Sequence, residues 1–126
     1  MTLAYLAAPF SHPDPSVKKW RLQTVNQYVC KLLKEGQMVY SPLTHNAPLI
    51  ELGMQNSWDT WRELDHLMLS KCELLIVLTL EGWDASIGVA SEIEFAKANN
   101  IPIAYREVAS EACGASCDGS PGLLQK

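Results

Sequence analysis

Three acidic residues, Asp65, Asp84 and Glu92, stand where their carboxylates could reach one crevice and meet a ligand. The last two belong to one stretch, LLIVLTLEGWDASIGVASEIEFA, residues 74–96. It begins as an apolar, β-branched run, which is how a strand buried on both faces reads. It breaks at Glu81-Gly82-Trp83-Asp84 and resumes with helical spacing at Val89, Ile93 and Ala96. A buried strand, a small-residue turn and a helix start together form a ligand position in open α/β sheets. Glu92 stands four residues after Gly88, so its carboxylate is expected to face the crevice beyond the strand ends. Asp65 follows Trp61 by four residues and shares a partly apolar helix face with it. Ser86 and Gly88 at the helix start can cradle a phosphate with backbone N–H groups. Each has an ordinary alternative: Glu92 as a solvated helix residue, Asp65 paired with Arg62, Asp84 in a turn, Ser86 and Gly88 as caps.

Other chemistries have no anchor in the sequence. There is no phosphate-binding Gly-x-x-x-x-Gly-Lys-Ser/Thr loop, no Gly-x-Gly-x-x-Gly and no Gly-x-Ser-x-Gly elbow. Cys113 and Cys117 are four apart without a second Cys or His pair nearby, so no metal and no cofactor are expected. Metal-independent carboxylate chemistry is left. One carboxylate can attack an anomeric carbon while a second acid assists the leaving group, as in retaining glycosidases.

The elements that position these groups follow from pattern. Leu3 to Ala8 reads as a first strand, ended by the proline-rich loop Pro9-Phe10-Ser11-His12-Pro13-Asp14-Pro15. Asp14 or Ser16 can cap a helix that buries Val17, Trp20, Thr24, Tyr28 and Leu32 and closes at Gly36. Gln37 to Ser41 is a second strand. A short helix is expected at Leu49 to Leu52, and a longer one from Trp58 to Lys71, capped by Ser57, with Trp61, Leu64, Leu67 and Met68 apolar. Ile101 to Tyr105 is a fourth strand. The alternation implies a Rossmann-like or flavodoxin-like open parallel sheet of four to five strands, and the strand order expected for it is 2-1-3-4. One domain over residues 1–107 and a flexible tail over 108–126, rich in Gly, Ser, Ala and Cys, are expected. Cys30 and Cys72 read as buried small hydrophobes.

Composition narrows the partners. With 126 residues, a net charge of −4 and 48% apolar residues, the chain can build a core but has no basic footprint for a nucleic-acid polymer. No stretch approaches the roughly 20 apolar residues of a membrane span. No basic segment precedes the first apolar run, so that run reads as a strand rather than a signal peptide, and a cytoplasmic protein is expected.

YLAAPF after the first strand, Asp65 on the helix before strand 3, and Ser86-x-Gly88-x-x-x-Glu92 after it resemble the nucleoside 2-deoxyribosyltransferase-like superfamily. That group includes nucleoside 5′-monophosphate N-glycosidases. YLAAPFSHPDP and GWDASIGVASEIEFA look most like a bacterial and phage branch of uncharacterised domains. The resemblance covers residues 3–105. It implies Glu92 as the nucleophile toward C1′ of the sugar, and Asp65 as the acid that positions sugar hydroxyls or protonates the base. It implies Ser86 and Gly88 at a 5′-phosphate, and Tyr5 and Phe10 lining the pocket. Trp58, Trp61 and His45 have no counterpart and stand as candidate base contacts. The loop after strand 1 lacks the family's Gly-Ser turn and nearby Arg, for which Ser11 or Arg21 can substitute. The resemblance also implies a homodimer or higher homo-oligomer. Related folds bind nucleotides without turning them over, which is the alternative function.

Overall fold

The computed structural model describes residues 2–108. The expected tail, with Cys113 and Cys117, lies outside them apart from Val108. Four strands, β1 (Leu3–Ala7), β2 (Met38–Tyr40), β3 (Leu74–Leu78) and β4 (Ile103–Arg106), alternate with four α-helices. The helices are α1 (Pro15–Lys34), α2 (Pro42–Glu51), α3 (Trp58–Ser70) and α4 (Ile87–Ala98), with a 3-10 turn at Trp83–Ala85. The sheet is entirely parallel in the expected order β2-β1-β3-β4.

Strand alternation divides the core. Ala4 and Leu6 of β1, with Ile76 and Leu78 of β3, pack with Val25 and Leu32 of α1 on one face. Tyr5 and Ala7, with Leu75 and Val77, pack with Leu69 of α3 and Val89 and Ala96 of α4 on the other. Both central strands are therefore buried on both sides, which accounts for their uninterrupted apolar sequence. The sheet brings the ends of β1 and β3 together, paired from Ala4 with Leu74 to Ala7 with Val77.

Several expectations need correction. The segment after β2 is a ten-residue helix, not a short turn of helix at Leu49 to Leu52. Ser41 caps it, its Oγ accepting from the Thr44 amide at 3.2 Å. Pro42, which ends the strand, is also its first residue, where a missing N–H costs nothing. Pro48 sits inside it, so one intrahelical bond is absent. This helix spans between layers: Thr44 Oγ1 donates to Asn26 of α1 at 2.6 Å, and Asn46 Nδ2 to Asp65 of α3 at 3.4 Å. Cys30 is exposed, since it lies about 200° around α1 from Tyr28, while Cys72 is buried as expected. Leu67 is 55% exposed and Leu69 takes the core position on α3. Strand β4 starts later than expected because Pro102 contributes only its carbonyl, accepting from the Leu75 amide at 2.9 Å. Among the described residues no helix is long and apolar enough to cross a membrane.

Candidate active site

The loops that follow β1 and β3 meet at the point where strand order reverses, and a cavity of about 1030 Å³ opens there. Strand β1 supplies its loop residue Phe10, α1 supplies Arg21, α2 supplies Asn46, α3 supplies Trp58, Trp61 and Asp65, and the start of α4 supplies Ser86 and Gly88. Phe10, Trp61, Asp65, Ser86 and Gly88 are thus gathered as the sequence implies, and Trp58 joins them. The Trp61 indole is fixed by donating to the Gln55 carbonyl at 2.9 Å.

Glu92 and Tyr5 lie below the open cavity surface. Glu92, expected to face the crevice, is one helical turn beyond Gly88, only 4% exposed and not among the residues that line the cavity. The fully buried Tyr5 does not line the cavity, contrary to expectation. Its hydroxyl donates to Glu92 Oε2 at 2.5 Å. Two other expected residues stand elsewhere. Asp84 is exposed in the 3-10 turn, where it belongs to the turn rather than the crevice. His45 is exposed and faces Asn46, its Nδ1 2.7 Å from Asn46 Oδ1. Asn46 itself was not foreseen. It is 5% exposed and lines the cavity. Its signal was hidden in a helix that two prolines masked. Arg62 pairs with Asp59 at 3.3 Å and leaves Asp65 free to face inward.

Burial sets the protonation of the acids. Desolvation pushes the Glu92 carboxyl up to about 8; the Tyr5 hydrogen bond opposes the rise and the Asp65 charge adds to it. Desolvation pushes Asp65 up to about 6, restrained by the Asn46 amide and by His45. The Tyr5 phenol is driven far above its ordinary value, first by burial and then by Glu92 and Asp65, so it remains a donor. Near neutral pH the proton resides mainly on Glu92 and the charge on Asp65.

Arg21 ties the two loops together. It is 6% exposed, and its two terminal nitrogens donate to the Ser11 carbonyl at 2.9 Å and the Glu81 carbonyl at 2.8 Å. Among the described residues no carboxylate lies within 4.0 Å of it. Burial lowers its proton affinity while the more distant Glu81 charge raises it, but a guanidinium stays cationic. Close by, the Ser86 hydroxyl caps α4 by accepting from the Val89 amide at 3.2 Å. The amides of Ile87 and Gly88, in the first turn, have no intrahelical partner. An uncompensated cation and a helix N-terminus therefore line the same cavity.

Gly82 makes the Arg21 clamp possible. Its φ is +91°, and a Cβ there would stand 2.6 Å from the Arg21 terminal nitrogen. Gly82→Ala is expected to lower stability by about 2 kcal/mol, from left-handed strain plus displacement of the guanidinium. Thermal unfolding checks this, and an unchanged melting temperature would refute the clamp.

Residues 2–107 match the family described as Domain of unknown function (DUF1937). The chain belongs to that family. The DUF1937 match runs from before β1 to the residue after β4, so it takes in every described element and the whole cavity. No curated protein matches the chain.

Proposed function

We propose that this DUF1937 protein cleaves the N-glycosidic bond of a nucleoside or nucleoside 5′-monophosphate. The observation that carries the reading is the pairing of two buried carboxyls from neighbouring helices, one bound by a buried tyrosine, beside an aromatic cavity at the switch point. The resemblance of YLAAPF and Ser86-x-Gly88-x-x-x-Glu92 to deoxyribosyltransferases supports it. In the reactive form Asp65 is protonated and Glu92 is ionised. Glu92 attacks C1′, the C1′–N bond breaks with its electron pair moving to the base, and Asp65 delivers the proton. The resulting glycosyl ester is then attacked at C1′ by water or a second base, whose proton returns to Asp65 as Glu92 leaves. Tyr5 donates to the Glu92 oxygen and disperses its charge.

Arg21 and the free amides of Ile87 and Gly88 favour a phosphorylated substrate, because a dianionic phosphate would meet both a cation and the positive end of α4. Trp58 and Trp61 offer flat apolar surfaces for the base. We place the reaction in the cytoplasm, in a homodimer or higher homo-oligomer, without a metal or cofactor. One observation favours a second reading, a nucleotide-binding module without turnover: Glu92 and Tyr5 do not line the open cavity.

A screen of nucleosides and nucleoside 5′-monophosphates for free base, wild type beside Glu92→Ala, separates the two. Hydrolysis or transfer predicts base release that disappears in the variant, by at least about 10³-fold. Ligand-induced stabilisation without base release, even with an acceptor base present, would replace the enzyme reading with the binding one.

A further inference from the structure

The Asp65 carboxyl is held from α2, an element with no role in the reaction as written above. Asn46 Nδ2 approaches Asp65 Oδ1 at 3.4 Å, and Asn46 Oδ1 lies 2.7 Å from His45 Nδ1. The two contacts determine each other. With a proton on His45 Nδ1, the amide oxygen accepts from the ring and the amide nitrogen must face Asp65. The reverse amide orientation would set an oxygen against the Asp65 carboxylate. The imidazolium and the Nδ1–H tautomer both keep the favourable arrangement. Asn46 is also buried on the cavity wall, and an Asn amide has a second N–H to offer there.

We infer that Asn46 is a positioning residue: its amide, locked by His45, aims the Asp65 carboxyl into the cavity and stabilises its ionised form. The inference rests on Asp65 as the acid of the proposed reaction. The 3.4 Å contact is long, and such contacts shorten when substrate fills a site. The groups facing Asp65 come from four elements: His45 and Asn46 on α2, Tyr40 on β2, Tyr5 on β1 and Glu92 on α4. Among them Asn46 alone is hydrogen-bonded to Asp65. The acid therefore owes its aim to a neutral amide, with His45 behind that amide acting on it only through charge.

The test is the titration of Asp65, followed by carboxyl ¹³C resonance in aspartate-labelled protein and assigned with Asp65→Asn. It needs no turnover, so it stands even if no substrate is ever cleaved. Asn46→Ala is expected to move the Asp65 titration upward, and in an active enzyme to shift the pH profile the same way while kcat/KM falls roughly 10- to 100-fold. His45→Phe, at an exposed position, is expected to move it in the same direction by less, and serves if Asn46→Ala does not fold. An Asp65 titration unchanged in Asn46→Ala, or in His45→Phe where the first variant fails to fold, would overturn the inference. A loss of base release without any change in that titration would also overturn it.

Discussion

Glu92→Gln is expected to unfold at a higher temperature than the wild type above pH 8 while losing base release altogether. The reason is the burial of a carboxyl that must ionise to act. In the unfolded chain Glu92 titrates near its ordinary value of 4.5, whereas in the fold burial holds it up to about 8. Between those pH values the folded protein keeps a proton that the unfolded chain has released. Stability therefore falls as pH rises through this window, and levels off above the folded value. Below about 4.5 both states are protonated and the penalty is absent. The full shift corresponds to on the order of 5 kcal/mol. Gln carries no charge to desolvate and can still accept from Tyr5, so the variant escapes the penalty. Its advantage should exceed about 5 °C at pH 9 and shrink toward nothing near pH 4. Melting curves across that range decide the matter. An advantage that does not vary with pH would mean that Glu92 is not the group carrying the shift.

The same pairing predicts the pH profile of the wild-type reaction. Base release requires Glu92 ionised and Asp65 protonated, the reverse of their main ground-state distribution. The profile of kcat/KM should rise and fall around two apparent values near 6 and 8, those of Asp65 and Glu92. A maximum near pH 7 follows, at which only a minor fraction of the enzyme holds the reactive proton arrangement.

The sheet was legible because its signal is local. An apolar run such as Leu74 to Leu78 can only be a strand covered on both sides when a helix flanks it in each direction. That fact, repeated, makes the sheet parallel, while the order of its strands is not written in any one of them. Asp65 was legible as a carboxyl on a partly apolar helix face, whereas Glu92, read from its place one turn after Gly88 as facing the crevice, is buried behind the cavity wall. What the sequence hides is contact between distant segments. Tyr5 and Glu92 are 87 residues apart; their meeting depends on how α4 packs against β1, which no spacing encodes. Asn46 was hidden differently. Pro42 and Pro48 read as breakers, yet one occupies a position that needs no amide proton and the other removes only one bond. His45, the neighbour whose side chain suggests chemistry, is exposed, and Asn46 takes the cavity position. Asp84 drew notice as an acid in a functional loop, although a 3-10 turn holds it in solvent.

Arg21 offers the second large effect, because it is both a structural clamp and an uncompensated charge. Arg21→Met keeps the aliphatic stem and removes the guanidinium. The Ser11 and Glu81 carbonyls, on exposed residues, then exchange a charged donor for water, at about 1 kcal/mol each. The loops after β1 and β3 would lose the bridge that holds the cavity mouth. Arg21→Lys separates the two roles. An ammonium keeps the charge but lacks the planar fork whose separate nitrogens reach Ser11 and Glu81. Both variants should therefore melt below the wild type. Only the Met variant should also lose its preference for a nucleoside 5′-monophosphate over the matching nucleoside, measured as the ratio of their dissociation constants. A preference of at least about 10-fold in the wild type and in Lys, abolished in Met, is the expected pattern for a cation facing phosphate. If all three proteins bind the nucleoside and its monophosphate equally well, Arg21 serves the loops alone, and the substrate of Glu92 carries no phosphate.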